Sequence, residues 1–464
     1  MAAFSTAFGG SLPETGAPRA RDLYLDFQHE KPDHYKTIAD AVARLRPGDT
    51  LHLPSPSTAG EVLRDVIVLQ NKAGAPGAPI VIDGHGATLS GSVFLESADW
   101  EDLGDGLFRS EKWAVKISTT QSLLDRYFFI FDGRPEHMGR TSKGVHAPFK
   151  NPGDLLPGQW TYQAPPAPKT VTGGGAFFIR LAPGATVETA RVEAPLHASG
   201  VAWSGTKSAH IIVKNLNVRH VWNDGFNLHG KSVDIRLENV TATECGDDGL
   251  SAHEECEVDV NGFVSRGNAT GVCNIGASVC RMQNVSLEGN IAFEIYLYHS
   301  AFTRIQNGAI RATAERAIRL LGKDGATPPC RLELDAVTLV WRGGKPRLVE
   351  VMKKSVLVAS RFSTSGLSWK VDADSEARLT HSVIAGPSAN ADGLSLSIHP
   401  GANWNAQDNL YAINRINVGE EHYARPDFAR YQADTKQDSR SRWRDLTPVE
   451  QAQLGQCATG TARP

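Results

Sequence analysis

The sequence predicts an all-β chain, a right-handed single-stranded parallel β-helix with an inserted β-rich subdomain. Three observations carry this reading. From Ile211 onward a strand-like unit recurs every 22–24 residues. The composition, 464 residues with 44 Gly, 25 Pro and four Met, favours turns and short strands over helices. Two successive units, Asn223–His229 and Asp247–His253, are near copies at a spacing of 24.

In chain order, residues 1–98 read as an N-terminal cap with the first coils, 99–194 as the insertion, 195–419 as the main coils with the site, and 420–464 as a polar C-terminal tail or cap. Tyr35–Arg44 has the pattern of a short amphipathic helix placed to cap the first coil. Arg46–Leu53 follows as a turn and an apolar strand. Gly74–Gly84 and Ala87–Gly91 add two short strands punctuated by Gly and Pro. These segments resemble the first coils of pectin-lyase-like β-helix proteins.

Between 99 and 194 the rhythm breaks. The stretch holds Trp100, Trp113, Trp160, the run Tyr127–Gly133, a Pro-rich segment at Pro165–Pro168 and the strand-like Phe177–Leu181. Ile130-Phe131-Asp132-Gly133-Arg134, with Arg140 seven residues beyond Gly133, resembles a segment preceding the coils in β-helix glycosidases of the β-xylosidase and α-fucosidase types.

The repeat then runs through Ile211–Leu216, Val233–Val240, Cys256–Val260, Val279–Val285 and Thr303–Asn307. No single unit of this kind can bury its apolar face, so neighbours must share one continuous core. A leucine-rich horseshoe would require Leu at fixed positions, and that pattern is absent. Weaker coils follow at Arg331–Val340, Val356–Phe362 and Arg378–Ile384. A stack has an open edge at each end, so a polar tail that closes it is expected. Within that tail Gln437-Asp438-Ser439 resembles a segment closing some secreted β-helix enzymes.

The formal charge of −3 shows no basic excess, so neither nucleic acid nor an anionic membrane is an expected partner. No run of about 18 apolar residues is present to span a bilayer. Met1–Leu12 lacks the basic start and apolar run of a secretory signal. The expectation is a secreted or periplasmic protein whose signal lies outside this sequence, with a cytoplasmic one left open. The six cysteines show neither a CxxC pair nor zinc-finger spacing, and those of the central repeat read as buried thiols. Oligomeric state is not legible.

The chemistry concentrates in the two copied coils. Side chains alternate along a strand, so if Phe226, Leu228, Leu250 and Ala252 point inward, then Asn227, His229, Ser251 and His253 point outward. Asp224 and Asp248 stack at the turn before the strand with Asp247 beside them, and Glu254 and Glu255 close it. Carboxylates gathered on one face repel unless they share a proton, a cation or a substrate. One acid is then raised in pKa while its neighbour stays ionised, which is the condition for acid–base catalysis.

Asn223-Asp224-Gly225 and Gly246-Asp247-Asp248 resemble the paired Asn-X-Asp and Gly-Asp-Asp motifs of polygalacturonase-type glycoside hydrolases. That resemblance implies a catalytic trio of Asp224, Asp247 and Asp248. The chain departs from the family in three ways. Asn223 abuts Asp224, no histidine stands near Gly271-Val272-Cys273, and the Arg-X-Lys motif reduces to Arg304-Ile305-Gln306. His253 is read as the replacement for the missing histidine. Substrate contacts are expected from His229, Glu254, Asn227, Arg304, Tyr298 and His299, with His137 and Arg140 overhanging from the insertion.

The expected activity is hydrolysis of a poly- or oligosaccharide by carboxylates, with no metal and no cofactor. The alternatives are a polysaccharide lyase, in which acids such as Asp247, Asp248, Glu254 or Glu255 hold calcium, and a non-catalytic carbohydrate-binding or tailspike-like module. The partner in each case is a carbohydrate.

Overall fold

A computed structural model describes residues 20–28, 31–56, 62–144, 146–165, 174–341, 347–386 and 395–459. Met1–Leu12 and Pro166–Pro168 lie outside the described residues, as does the side chain of Cys457.

The chain is a parallel β-helix. Its described strands fall mainly into one 18-stranded and one 12-stranded sheet, in which the coils stack in register. Ile211, Ile235, Val258, Cys280 and Thr303 are successive partners at intervals of 24, 23, 22 and 23, so the sequence repeat is the coil itself. Phe226, Leu250, Val272, Ile295 and Ile318 form the matching row in the second sheet, all with 0% exposure. These rows meet in one continuous apolar core running the length of the stack. A parallel strand buried on its inner face needs the next coil to pair its backbone, so coil order and core are built together.

One residue turns each long strand from one face to the next. Asn215, Asn239, Asn284 and Asn307 take left-handed backbone, with φ between 51° and 57°, and Gly262 holds the equivalent place at 78°. Asparagine tolerates this conformation, and its amide carries both a donor and an acceptor. The amides accordingly link successive coils: Asn284 Nδ2 donates to Asn261 Oδ1 at 2.7 Å, and Asn307 Nδ2 to Asn284 Oδ1 at 2.6 Å. A second, interior ladder occupies the next corner. There Asn268 Oδ1 accepts the Cys245 N–H, and Asn290 Oδ1 accepts the Asn268 N–H. At its end the carboxyl of Glu294, with 0% exposure, accepts both the N–H and the side-chain amide of Asn290.

Both ends are closed. The helix Ile38–Arg44, N-capped by Thr37, buries Ile38, Ala41 and Val42 against the first coils. The other end is plugged by aromatic rings, a difference from the polar cap expected of the tail. Tyr423, Tyr431 and Trp443 join the core, and the hydroxyls of Tyr411 and Tyr431 donate to the buried Asp438 carboxyl. Gln437 and Asp438 thus serve the closure itself, Gln437 Oε1 accepting the Ala406 N–H at 3.1 Å. The tail charges are spent at its surface, where aromatics cover the apolar end of the stack.

The segment that begins with the strand Ser92–Phe94 and ends with the strand Glu193–Pro195 forms two four-stranded antiparallel sheets and two short helices around a separate aromatic core. Trp100, Trp113, Tyr127, Phe129, Trp160 and Phe177 fill it, and Trp222 of the coil packs against it. That contact seats the insertion on the corner at which the copied coils carry their aspartates. Five cysteines are buried and free. No helix among the described residues is long and apolar enough to cross a membrane.

Candidate active site

The three aspartates come together. Asp224, Asp247 and Asp248 each place a carboxylate oxygen within 4.8 Å of the others. Coil stacking sets this distance. Leu250 pairs with Phe226, which puts Asp248 one rung from Asp224, and the Asp248 N–H donates to Asp224 Oδ1 at 3.0 Å. Gly225 and Gly249 leave the corner free of a Cβ, which would otherwise strike Ala242 or Ser265.

The expected exposure is corrected. These acids are 2%, 6% and 3% exposed, because a loop of the insertion folds over them. From that loop Lys143 Nζ reaches Asp247 Oδ1 at 2.5 Å and Asp248 Oδ1 at 2.6 Å. Ser142 Oγ donates to Asp247. Arg126 lies 2.8 Å from Asp247 Oδ2 and donates to Asn223 Oδ1, whose side-chain amide donates to Asp224. Sequence reasoning missed Arg126, Ser142 and Lys143. The available signal was indirect: three clustered carboxylates require nearby cations, and Thr141-Ser142-Lys143-Gly144 closely follows Arg140 in the segment already singled out.

Two cations therefore face three carboxylates. Burial and the neighbouring Asp247 charge push Asp248 up to about 6. Burial and Asp248 push Asp224 well above the usual carboxylate range. Burial acts the same way on Asp247, but Lys143 and Arg126 outweigh it and keep that carboxyl ionised. Burial disfavours the Lys143 ammonium; Asp248 and Asp247 more than restore it and hold its pKa well above the normal value. One acid of the trio stays ionised while two bind protons more tightly, the separation that acid–base work needs.

Beside the trio, the His229 and His253 rings stack at 4.0 Å. His253 Nε2 shares a 2.7 Å hydrogen bond with Ser251 Oγ, and burial together with His229 lowers its pKa to about 4, leaving a neutral imidazole. Glu254 accepts the Gly230 N–H at 2.9 Å and lies 3.3 Å from His229 Nδ1. Glu255 pairs instead with Lys231 at the surface. Asn227 stands in register with Ser251, donates to Ser199 and keeps a buried, unpartnered Oδ1. Farther along the sheet, Cys273 and Tyr296 follow Ser251 in one outward row, and Tyr298 and His299 follow in the next positions.

His137 and Arg140 line a cleft of about 640 Å³ that opens beside Lys143 and is walled on the coil side by Ile291, Phe293 and Arg316. Arg140 is occupied in holding the loop: it bonds Asp125 at 2.8 Å, the Leu124 carbonyl and the Ala147 carbonyl, and stacks on Phe149. His137 packs on Phe128 at 4.7 Å, and burial lowers its pKa to about 4. Arg304 is not brought to the trio. It lies on the outer face of the long sheet, 3.9 Å from Glu333, in a separate groove with Arg236 and Arg281. Its position in the repeat places it on a different strand from the copied turns.

Fold and site together define a parallel β-helix with a roofed acidic centre at one corner of its coils. Among solved structures the chain is similar to XylC in complex with xylose, at 10% identity over 92% of this chain and 86% of that one, with a TM-score of 0.52. It also matches the GH136 lacto-N-biosidase from Eubacterium ramulus, at 10% identity over 92% of this chain and 68% of that one, with a TM-score of 0.47. No family model matches the sequence, and no curated protein matches it.

Proposed function

We propose that the protein is a glycoside hydrolase that cleaves a poly- or oligosaccharide with Asp224, Asp247 and Asp248. The observation that carries this reading is the charge balance of the trio, three buried carboxylates against Lys143 and Arg126. Asp248, titrating near 6, gives its proton to the glycosidic oxygen as the C–O bond breaks. Asp247, held ionised, takes a proton from the water that adds to the anomeric carbon. Asp224, its own pKa raised by burial and by Asp248, accepts the Asp248 N–H and completes the trio. One carboxylate oxygen of each acid lies within 4.8 Å of the others, short of the roughly 6.5–9.5 Å of an inverting pair that flanks a sugar, so the substrate does not lie between the members of the trio.

The β-helix likeness to XylC, a protein seen with xylose, agrees with a carbohydrate substrate. Hydrolysis of this kind needs no metal. A calcium-assisted lyase would draw on Asp247, Asp248, Glu254 or Glu255 for the cation, and the Lys143 ammonium already contacts the two aspartates. Asp247 and Asp248 therefore fit a metal poorly.

The test is a polysaccharide panel with products resolved by mass. The proposal expects new reducing ends without unsaturated sugars, and loss of at least a hundredfold in turnover for Asp248→Asn. Full turnover in that variant, or ultraviolet-absorbing unsaturated products, overturns it.

A further inference from the structure

The cleft beside Lys143 is lined on its coil side by Phe293 and Arg316, which belong to the same column of stacked residues as Asp248. Asp248 pairs with Thr270 and Thr270 with Phe293, and Arg316 occupies the next position of the same column, since Ile295 pairs with Ile318. At one coil spacing per step, Arg316 lies about 14 Å from Asp248 along the stack. Ala292 and the largely buried Phe293 line the cleft on the coil side, and the insertion forms the opposite wall. A short oligosaccharide spans that distance.

Arg316 lines the end of the cleft and shares a buried carboxylate with Arg319, which lies beyond the cleft lining. Arg316 Nε and Arg319 Nε each lie 3.2 Å from the same oxygen of Glu350, a residue only 5% exposed. One buried carboxylate thus faces two guanidinium groups. The geometry is not that of hydrogen bonds: both Nε atoms and that Glu350 oxygen are buried without a hydrogen-bonded partner. Two further acids, Glu136 and Glu315, line the cleft; Glu315 is 70% exposed and 3.9 Å from Arg316, so solvent screens it. Arg319 in turn stands in register with Tyr296, on the row that runs through Asn227, Ser251 and Cys273. A planar guanidinium fork fits a carboxylate or sulfate with two parallel donors, which a neutral sugar hydroxyl does not offer.

We infer that Arg316 and Arg319 form a subsite for an anionic substituent, so that the substrate is an acidic saccharide whose carboxylate or sulfate docks three coils from Asp248. Glu350 orients the two guanidinium groups and is itself shielded by them. The inference rests on the proposed hydrolase site for the direction in which the chain of sugars runs, and on the cleft geometry for the subsite.

The test measures binding and turnover separately. The full-length protein, as Asp248→Asn to prevent cleavage, is titrated calorimetrically with oligogalacturonides, oligoalginates and chondroitin sulfate oligosaccharides. The same uronate oligomers after carboxyl reduction, and the same sulfated ones after desulfation, serve as neutral counterparts. The subsite predicts at least tenfold tighter binding of an acidic oligomer than of its neutral counterpart, a preference that falls with added salt and disappears in Arg316→Gln/Arg319→Gln. Circular dichroism and the unfolding midpoint of that variant report whether its fold is kept. Arg316→Lys/Arg319→Lys should retain part of the preference, because the charge remains and the fork is lost. If no acidic oligomer binds better than its neutral counterpart, or if the preference survives in the Gln variant, the subsite is overturned. Binding of an acidic oligomer with no cleavage by the unmodified protein upholds the subsite and sinks the hydrolase reading. Cleavage of neutral glycans unaffected by the Arg variants does the reverse.

Discussion

Lys143 Nζ lies 2.6 Å from Asp248 Oδ1, across 105 residues of sequence. This contact, with its twin to Asp247, ties the insertion to the coils at the point where the acids collect.

Removing one partner of a buried ion pair leaves an uncompensated charge. Lys143→Met should therefore lower stability by about 3–5 kcal/mol and raise the pH at which Asp248 ionises. Denaturant unfolding checks the first. Adding Asp247→Asn in the same chain should recover a measurable part of the loss, and strict additivity of the two substitutions would show that the pair is not coupled.

Asp248 is raised by burial and by Asp247 to about 6, above its unfolded value of 3.8. A raised carboxyl pKa means that the folded state binds the proton more tightly. Its contribution to stability is complete below the unfolded value and declines as pH rises from about 4 to about 6. If its proton is the one transferred, turnover on any substrate found should fall as pH rises above about 6. A pH–rate profile reads this limb, and Glu, which places the carboxyl elsewhere, should shift it when introduced as Asp248→Glu.

Burial raises Glu294 to about 8 at the end of the interior amide ladder. By the same sign, its contribution declines as pH rises from 4.5 towards 8. Glu294→Gln should flatten the dependence of the unfolding midpoint on pH across the neutral range. An unchanged slope would mean that another group titrates there.

Asn284 takes left-handed backbone at φ 57° and joins two rungs of the outer ladder. Asn284→Ala should cost about 1–2 kcal/mol, because alanine bears the left-handed penalty and loses both amide bonds. Asn284→Gly, free of the backbone term, should cost less. Equal losses in the two variants would assign the effect to the amides alone.

The coils were legible because their physics is local and repeated. A period of 22–24 with apolar residues at fixed places in Ile211–Leu216 and Val233–Val240 admits few architectures, and the register Ile211–Ile235–Val258 follows it. The same repetition stacked Asp224 on Asp248 and His229 on His253, since a parallel coil carries equivalent positions to one corner. The short helix Ile38–Arg44 was readable from its own pattern. Arg304 was not placeable: its strand was evident, but the faces a coil presents follow from where its corners fall.

What the sequence by itself determined is the stack of coils and the meeting of three carboxylates in it, because both depend on spacing along neighbouring turns. The tertiary structure decided how those carboxylates are charged. Arg126, Ser142 and Lys143 belong to an insertion whose place on the coil is set by packing of its aromatic core against Trp222. No periodicity encodes that contact, and burial with two cations, not the acids alone, separates Asp247 from Asp224 and Asp248.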